Sequence, residues 1–131
     1  MSSKKKPLIH EFQTIYKRRI WIAIHRNYSE VIDGLFVDSN FNPIDISGLE
    51  ECDGFTVKAV NSQTKKRGVL IVFESKRAMK AGVMAHEASH AAKAIFEDVG
   101  IDARYHEVFE YFLEWIVECC EIAKNHKTTL R

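Results

Sequence analysis

The chain has 131 residues, with 19 basic and 18 acidic side chains and a formal net charge of +1 at pH 7. This length suits one domain built around a single core. Because the charges nearly balance, there is no broad field that would hold a phosphate backbone or an anionic membrane surface. Neither a nucleic acid nor a membrane is therefore expected as a partner.

The cysteine content indicates a reducing environment. Three cysteines are an odd number, and Cys119 and Cys120 are neighbours in an apolar stretch, where a disulfide between them would be strained. A cytoplasmic location is therefore predicted. No run of eighteen apolar residues is present, so neither an export signal nor a membrane-spanning segment is expected.

The predicted elements begin after a polar amino-terminal segment. Residues 1–7 are small, polar and basic, and they are expected to form a disordered tail ahead of a single domain at residues 8–131. Residues 18–25 are rich in β-branched and aromatic side chains, which predicts a strand buried on both faces. Residues 29–36 begin with a good N-cap and space their apolar residues at three and four, which predicts a short helix.

The middle of the chain is predicted to contain a loop and a hairpin. Residues 37–53 gather Asp, Asn, Ser, Pro and Gly and are expected to form the loop. Alternating apolar residues at 55–59 and an apolar run at 69–73 flank a polar turn, which predicts two antiparallel strands. The Lys65-Lys66-Arg67 cluster in that turn is typical of a solvated tip, and a binding role is the alternative.

The rest of the chain has the pattern of two helices. One is expected from position 75 or 76 to about position 98, with a break at Gly100, and the other from an N-cap at Asp102 to about Lys124. The predicted fold class is therefore α+β, with an antiparallel sheet of about three strands packed on two long carboxy-terminal helices.

The first of these helices contains the motif His86-Glu87-Ala88-Ser89-His90. Two histidines four residues apart lie on one helix face with their β-carbons about 5–6 Å apart, so both imidazoles can reach one ion. A catalytic zinc site uses three protein ligands and keeps one position for water. Glu87 lies about 100° further around the helix, beside that position, where it can act as the general base. The motif predicts a Zn²⁺ site with Glu87 as its catalytic residue.

Coincidence is the alternative explanation of the motif, with two surface histidines on an ordinary amphipathic helix. The opposite side of the same helix carries a predicted core face, which directs the histidines away from the core. That face consists of Met84, Ala88, Ala91, Ala92 and Ile95.

The third metal ligand is open between two glutamates. The metzincin pattern is excluded because Phe96 occupies the position six residues after His90. The second helix carries a row of acidic residues, Glu107, Glu110, Glu114, Glu118 and Glu121, for most of which a solvated face is the simpler explanation. In an antiparallel helix pair, the residue at the level of His90 is expected near Glu110, with Glu107 half a turn to a turn short of it.

Two segments of the chain carry a family resemblance. Residues 83–92 followed by residues 106–111 resemble the gluzincin pattern, an HExxH helix with a ligand glutamate on a later helix. The segment His-Glu-Val-Phe-Glu at 106–110 is similar to the aminopeptidase pattern, which implies Glu107 as the ligand. The spacing of thermolysin-like enzymes implies Glu110.

The stronger resemblance is to short HExxH proteins of bacteriophages and prophages, and it spans roughly residues 15–122. In that family a sheet is followed by HEASHA-like and HExFxYLxxWI-like segments. The resemblance again implies Glu107 as the third ligand, and it implies a minimal zincin-like core.

The leading hypothesis is therefore a zinc-dependent metallopeptidase that acts on a peptide or protein substrate. His86, His90 and Glu107 would bind Zn²⁺, with Glu110 as the alternative third ligand, and Glu87 would activate water. The gluzincin resemblance implies that the strand at residues 69–74 binds the substrate as an added strand. The second hypothesis is a non-catalytic, zinc-stabilised interaction module, such as a phage accessory protein, because so short a chain has little room for a substrate cleft.

Overall fold

The computed structural model describes residues 7–49 and 51–127. Along the chain these residues form β1 (Ile9–Gln13), β2 (Arg19–Ile24), α1 (Tyr28–Ile32), β3 (Phe36–Val37), β4 (Gly54–Asn61), β5 (Arg67–Phe73), α2 (Ala81–Val99) and α3 (His106–Asn125). Apart from Pro7, the predicted tail lies outside the described residues.

The strands form one mixed sheet in the order β1-β2-β5-β4-β3. β2 and β5 are parallel, and the other neighbouring strands are antiparallel. The prediction of an antiparallel sheet of about three strands is therefore wrong in both strand number and direction. The long connection between β2 and β5, which includes α1, β3 and β4, returns the chain so that β5 lies parallel beside β2.

The two strands that the sequence pattern missed lie at the edges of the sheet. β1 has five residues that mix polar and apolar side chains, and β3 has only two residues. Such short segments lack the continuous apolar run or regular alternation that identifies a strand. The predicted strand at residues 18–25 and the predicted hairpin are confirmed as β2 and as the β4–β5 pair.

The sheet is the middle layer of the molecule. α2 and α3 cover one face, where Ile22, Ile71, Phe73, Ile95 and Ile116 belong to one buried cluster. α1 and the loop that follows β3 cover the other face, where Trp21, Phe36, Phe55 and Leu70 form a second cluster. Because β2 and β5 are buried on both faces, their side chains are apolar along nearly the whole strand.

The helices start later than the sequence pattern predicts. Residues 75–80 form turns, and α2 begins only at Ala81. Its predicted end is confirmed, because Gly100 adopts the left-handed conformation with φ of 80° that commonly closes a helix. Asp102 is not the N-cap of α3; its carboxylate instead accepts hydrogen bonds from Arg104, and α3 begins at His106.

The two long helices run antiparallel. Near the end of α2, the ring of Phe96 lies 5.4 Å from the ring of Phe109 between centroids. Before the start of α2, the main-chain oxygen of Met79 accepts a hydrogen bond of 2.9 Å from Lys124 Nζ. These contacts fix which residues of α3 lie opposite each turn of α2.

Candidate metal centre

His86 and His90 converge on the exposed side of α2. Their Nε2 atoms lie 3.1 Å apart, and their ring planes are nearly perpendicular, at 84°. Two nitrogens that each lie 2.0–2.1 Å from one tetrahedral zinc ion are about 3.4 Å from each other. The spacing of this histidine pair therefore fits two ligands of one Zn²⁺ ion with a small side-chain adjustment.

Glu87 is buried between α2 and the sheet, with only 7% of its surface exposed. Its Oε1 accepts a hydrogen bond of 2.7 Å from the hydroxyl of Thr56 on β4. That hydroxyl is also 3.2 Å from the main-chain oxygen of Glu87 but has one proton to donate, and the shorter distance favours the carboxylate. Thr56 thus fixes the orientation of Glu87. The only signal for Thr56 in the sequence is a hydroxyl at a strand position that faces the helices.

The second carboxylate oxygen of Glu87 keeps contact with solvent. Oε2 has no hydrogen-bond partner among the described residues, and none of their side-chain polar atoms is both fully buried and unpaired. A water molecule can therefore reach Oε2 while Oε1 is held by Thr56. This is the arrangement that a general base needs.

The nearby cysteine on α3 is a packing residue. Burial raises the pKa of the Cys120 thiol to about 12, and the charges of Cys119, Glu121 and Glu87 act in the same direction. The thiol is therefore protonated near neutral pH. Cys120 is fully buried in the core cluster beneath the helices.

The histidines face the β4 side of α2 and not the α3 side. The side chain of Phe96 points toward α3, because its ring contacts the rings of Phe109 and Phe112. At 100° per residue, His86 and His90 lie about 80° and 120° from Phe96 around the axis of α2. Glu97 lies on the same stripe as the histidines, and its Oε1 is 3.5 Å from Lys58 Nζ on β4. The pair therefore opens toward the sheet edge.

The structure does not bring Glu107 or Glu110 to the histidine pair. Interpolation between the two helix contacts places Glu114 at the level of His90, so Glu110 and Glu107 lie about 6 and 11 Å further along the axis of α3. Within residues 7–49 and 51–127, no group of three or more His, Cys, Asp or Glu side chains is arranged to hold a metal ion. The start of α3 at His106 instead of Asp102 accounts for this shift of about one turn.

The predicted substrate strand is also placed differently. β5 lies between β2 and β4 and pairs with both, so the expectation that residues 69–74 accept an added strand is wrong. Among the described residues, β4 instead has an unpaired edge along most of its length, because β3 pairs with it only at Val60 and Asn61 near its end.

The open edge of β4 lies beside Glu87. At the two ends of the β4–β5 pair, the main chain of Asp53 is hydrogen-bonded to Glu74 and that of Asn61 to Lys66. In an antiparallel pair every second residue forms main-chain hydrogen bonds with the partner strand, so from Asp53 onward alternate residues of β4 are hydrogen-bonded to β5. The intervening residues, Gly54, Thr56 and Lys58, direct their main-chain N–H and C=O groups to the open edge. Thr56 thus presents its main chain to this edge while its side chain holds Glu87.

Comparison with protein-family models, curated proteins and solved structures found no match to the chain. The gluzincin and phage-protein resemblance therefore stays a prediction. In the part of the chain that the structure describes, no helix has the length and apolar character needed to cross a membrane.

Proposed function

We propose that the chain is a zinc-dependent metallopeptidase in which His86 and His90 bind Zn²⁺ and Glu87 is the general base. The observation that carries this proposal is the convergence of two imidazole nitrogens at 3.1 Å on the helix turn that also carries a buried, oriented carboxylate. If His86 and His90 were ordinary surface residues, the burial of the glutamate next to His86 would have no explanation.

Each residue of the site has a distinct role in the proposed reaction. When bound, the ion would supply Lewis-acid activation of water and of the scissile carbonyl. Glu87 Oε2 accepts the proton of the attacking water and then delivers it to the leaving amine. Thr56 holds Glu87 Oε1 throughout, so that the carboxylate keeps one orientation.

The open edge of β4 is the proposed substrate-binding strand. An extended peptide can pair with the main-chain groups of Gly54, Thr56 and Lys58 as an added antiparallel or parallel strand. This placement brings the peptide main chain close to Glu87, because Thr56 contacts both the edge and the carboxylate. β4 thereby takes the role that the gluzincin resemblance implied for residues 69–74.

Glu107 remains the proposed third ligand, with Glu110 as the alternative. Either residue requires the amino-terminal part of α3 to move by about 6–11 Å along α2 and also around α2, toward the face that carries the histidines. Metal binding couples to local folding, and the free energy of coordination can drive such a rearrangement. The segment from Ile101 to Tyr105 has no helix or strand assignment and connects the two helices.

The test compares zinc binding and peptide cleavage for the native chain, Glu87→Gln and Glu97→Gln. Glu97 is the matched control because it is an exposed glutamate on the same helix. We expect all three proteins to bind one zinc ion, measured by titration and metal analysis. Cleavage of a mixed peptide library should fall at least 100-fold in Glu87→Gln only. Equal cleavage by the native chain and Glu87→Gln would contradict the proposal.

The zinc-stabilised interaction module is the competing function, and the solvent-facing position of both histidines favours it. It predicts that zinc raises the melting temperature of the native chain but that no peptide is cleaved. Loss of zinc binding in His86→Ala and His90→Ala is common to both functions, so the cleavage assay decides between them. A cytoplasmic location is proposed for either function, since all three cysteines are free.

A further inference from the structure

A large apolar groove lies between the β1–β2 turn and the amino-terminal half of α3. Its volume is about 460 Å³. Ile15 and Tyr16 form part of one wall, and Val108, Tyr111 and Trp115 form the other. The groove is on the α3 side of the molecule, whereas the histidine pair faces β4.

The walls of the groove are unusually exposed for apolar side chains. Ile15 is 88% exposed and Tyr111 is 69% exposed, and Val108 and the neighbouring Tyr105 are also exposed. Single exposed apolar residues are common, but a contiguous set around a concave surface marks an interaction site. Nothing in the folding of the domain requires Ile15 at the tip of a turn.

An acidic stripe runs along α3 beside the groove. Glu107, Glu110, Glu114 and Glu118 lie on one side of the helix, about 100° around its axis from the apolar stripe of Val108, Tyr111 and Trp115. All four glutamates are exposed, and none forms an ion pair with another described residue. The groove itself is therefore apolar, and the acidic stripe lies beside it on α3.

We propose that this groove binds a cationic amphipathic helix of another protein. The apolar face of such a helix would fill the groove, and its Lys or Arg side chains would reach the acidic stripe. From Val108 to Trp115 the wall extends about 10 Å, which matches two turns of a docked helix. A second copy of this chain fits less well, because a symmetric contact would oppose two acidic stripes.

The groove is lined by none of the residues His86, Glu87 and His90, and the binding test below uses the protein without zinc. The groove and the histidine pair lie on different sides of the helix layer, so a docked partner leaves the open edge of β4 free. The interaction could therefore recruit the protein to a target without blocking its candidate site.

The experiment measures binding of a fluorescently labelled 18-residue Leu/Lys peptide with an amphipathic helical pattern. Two control peptides are a non-amphipathic scramble of the same composition and an amphipathic Leu/Glu peptide. We expect the native chain to bind the amphipathic Leu/Lys peptide at least ten-fold more tightly than either control. The affinity should also fall as salt is added, because the acidic stripe contributes to binding.

Two double variants test the groove itself. Ile15→Ser with Tyr111→Ser should weaken binding at least ten-fold, and Glu114→Gln with Glu118→Gln should weaken it about three- to ten-fold. The control is Ile122→Ser, which removes an exposed apolar side chain from the same helix outside the groove. Thermal melting of each variant confirms that it is folded.

Three peptide-binding results would overturn the proposal. These are no binding of the amphipathic Leu/Lys peptide, equal binding of its scramble, and unchanged binding by the folded Ile15/Tyr111 variant. Sedimentation of the native chain provides a further check. Self-association that disappears in the Ile15/Tyr111 variant would assign the groove to a second copy and would also overturn the proposal.

Discussion

At the scale of single residues, the contact between Thr56 and Glu87 joins the sheet to the candidate site. A carboxylate that is 7% exposed needs a hydrogen-bond partner, and the Thr56 hydroxyl is the partner that the described residues provide. The two residues are 31 positions apart in the chain, so only the packing of α2 on β4 brings them together.

Thr56→Val removes the hydroxyl and keeps the shape of the side chain. We expect the free energy of unfolding to fall by about 1–3 kcal/mol, because Glu87 loses its buried partner. Thr56→Ser should recover most of the loss. Urea denaturation measures both changes, and a double-mutant cycle with Glu87→Gln isolates the coupling between the two side chains. A Val variant as stable as the native chain would show that the contact is energetically neutral.

A second residue pair predicts how stability depends on pH. The rings of His10 and His126 are 5.0 Å apart between centroids, and Lys76 Nζ donates to the main-chain oxygen of His126. Burial, and then the charges of His126 and Lys76, lower the pKa of His10 from its ordinary 6.5. The unfolded chain therefore binds this proton more readily than the folded chain, and stability is lost as pH falls through 6.5.

His10→Gln tests this prediction. The melting temperature of the native chain should fall between pH 7.5 and pH 5. The melting temperature of the variant should fall less, because the variant lacks the group with the lowered pKa. The comparison between the two proteins removes the contribution of the histidines that do not contact His10. An identical pH dependence for both proteins would contradict the assignment to His10.

At the scale of elements, the parallel pair β2–β5 depends on a close approach at Gly68. A β-carbon at this position would lie 1.9 Å from the main-chain oxygen of Arg19, so the two strands would have to separate. No side chain can be accommodated without moving backbone. The sequence shows only a glycine at the end of a turn, which is why the turn was predictable and the close approach was not.

Gly68→Ala should therefore lower the free energy of unfolding by about 3 kcal/mol or more. Gly82→Ala is the matched control, since Gly82 lies in α2 with nothing within 4 Å of the added carbon. That substitution should stabilise the protein by about 0.4–1 kcal/mol. Chemical denaturation of both variants measures the contrast, and a stable Gly68→Ala protein would argue against the β2–β5 register.

The elements with strong local patterns were predicted correctly. β2, the β4–β5 hairpin, both long helices and the buried face of α2 are all present. The short helix was also predicted, but α1 ends at Ile32 and begins at Tyr28, with Asn27 as the N-cap, and Phe36, the last residue of the predicted helix, lies in β3. The amino-terminal boundaries of α2 and α3 were misplaced, because Ser75 and Asp102 form turns with the same side-chain hydrogen bonds that would cap a helix.

At the scale of the whole molecule, the position of α3 relative to α2 decides which carboxylate can approach the histidine pair of the proposed metal site. Glu107 and Glu110 are one turn apart, so a modest change in how the helices align exchanges their positions. The observed arrangement leaves both away from the histidine pair. Whether Glu107 or Glu110 can serve as the proposed third ligand therefore depends on helix packing and not on the local motif.

Glu107→Gln tests the proposed third ligand. We expect its zinc affinity to fall at least ten-fold, whereas Glu110→Gln and the control Glu121→Gln should bind zinc as the native chain does. Competition with a colorimetric chelator measures the affinities. A selective loss in Glu110→Gln would transfer the role to that residue, and unchanged affinity in all three variants would exclude both glutamates.

The sequence by itself determined the features that depend on local geometry. The four-residue spacing of His86 and His90 places both rings on one helix face, because the α-helix has 3.6 residues per turn, and the structure shows them 3.1 Å apart. The apolar face of α2 and the hairpin follow from the same kind of short-range periodicity.

Only the tertiary structure decided the features that depend on contacts between distant segments. These are the mixed strand order, the burial of β5 in the centre of the sheet, the open edge of β4, and the hydrogen bond from Thr56 to Glu87. Each of these features depends on the way in which long connections bring distant strands and helices together. Neither the periodicity of apolar residues nor the spacing of a motif contains information about that arrangement.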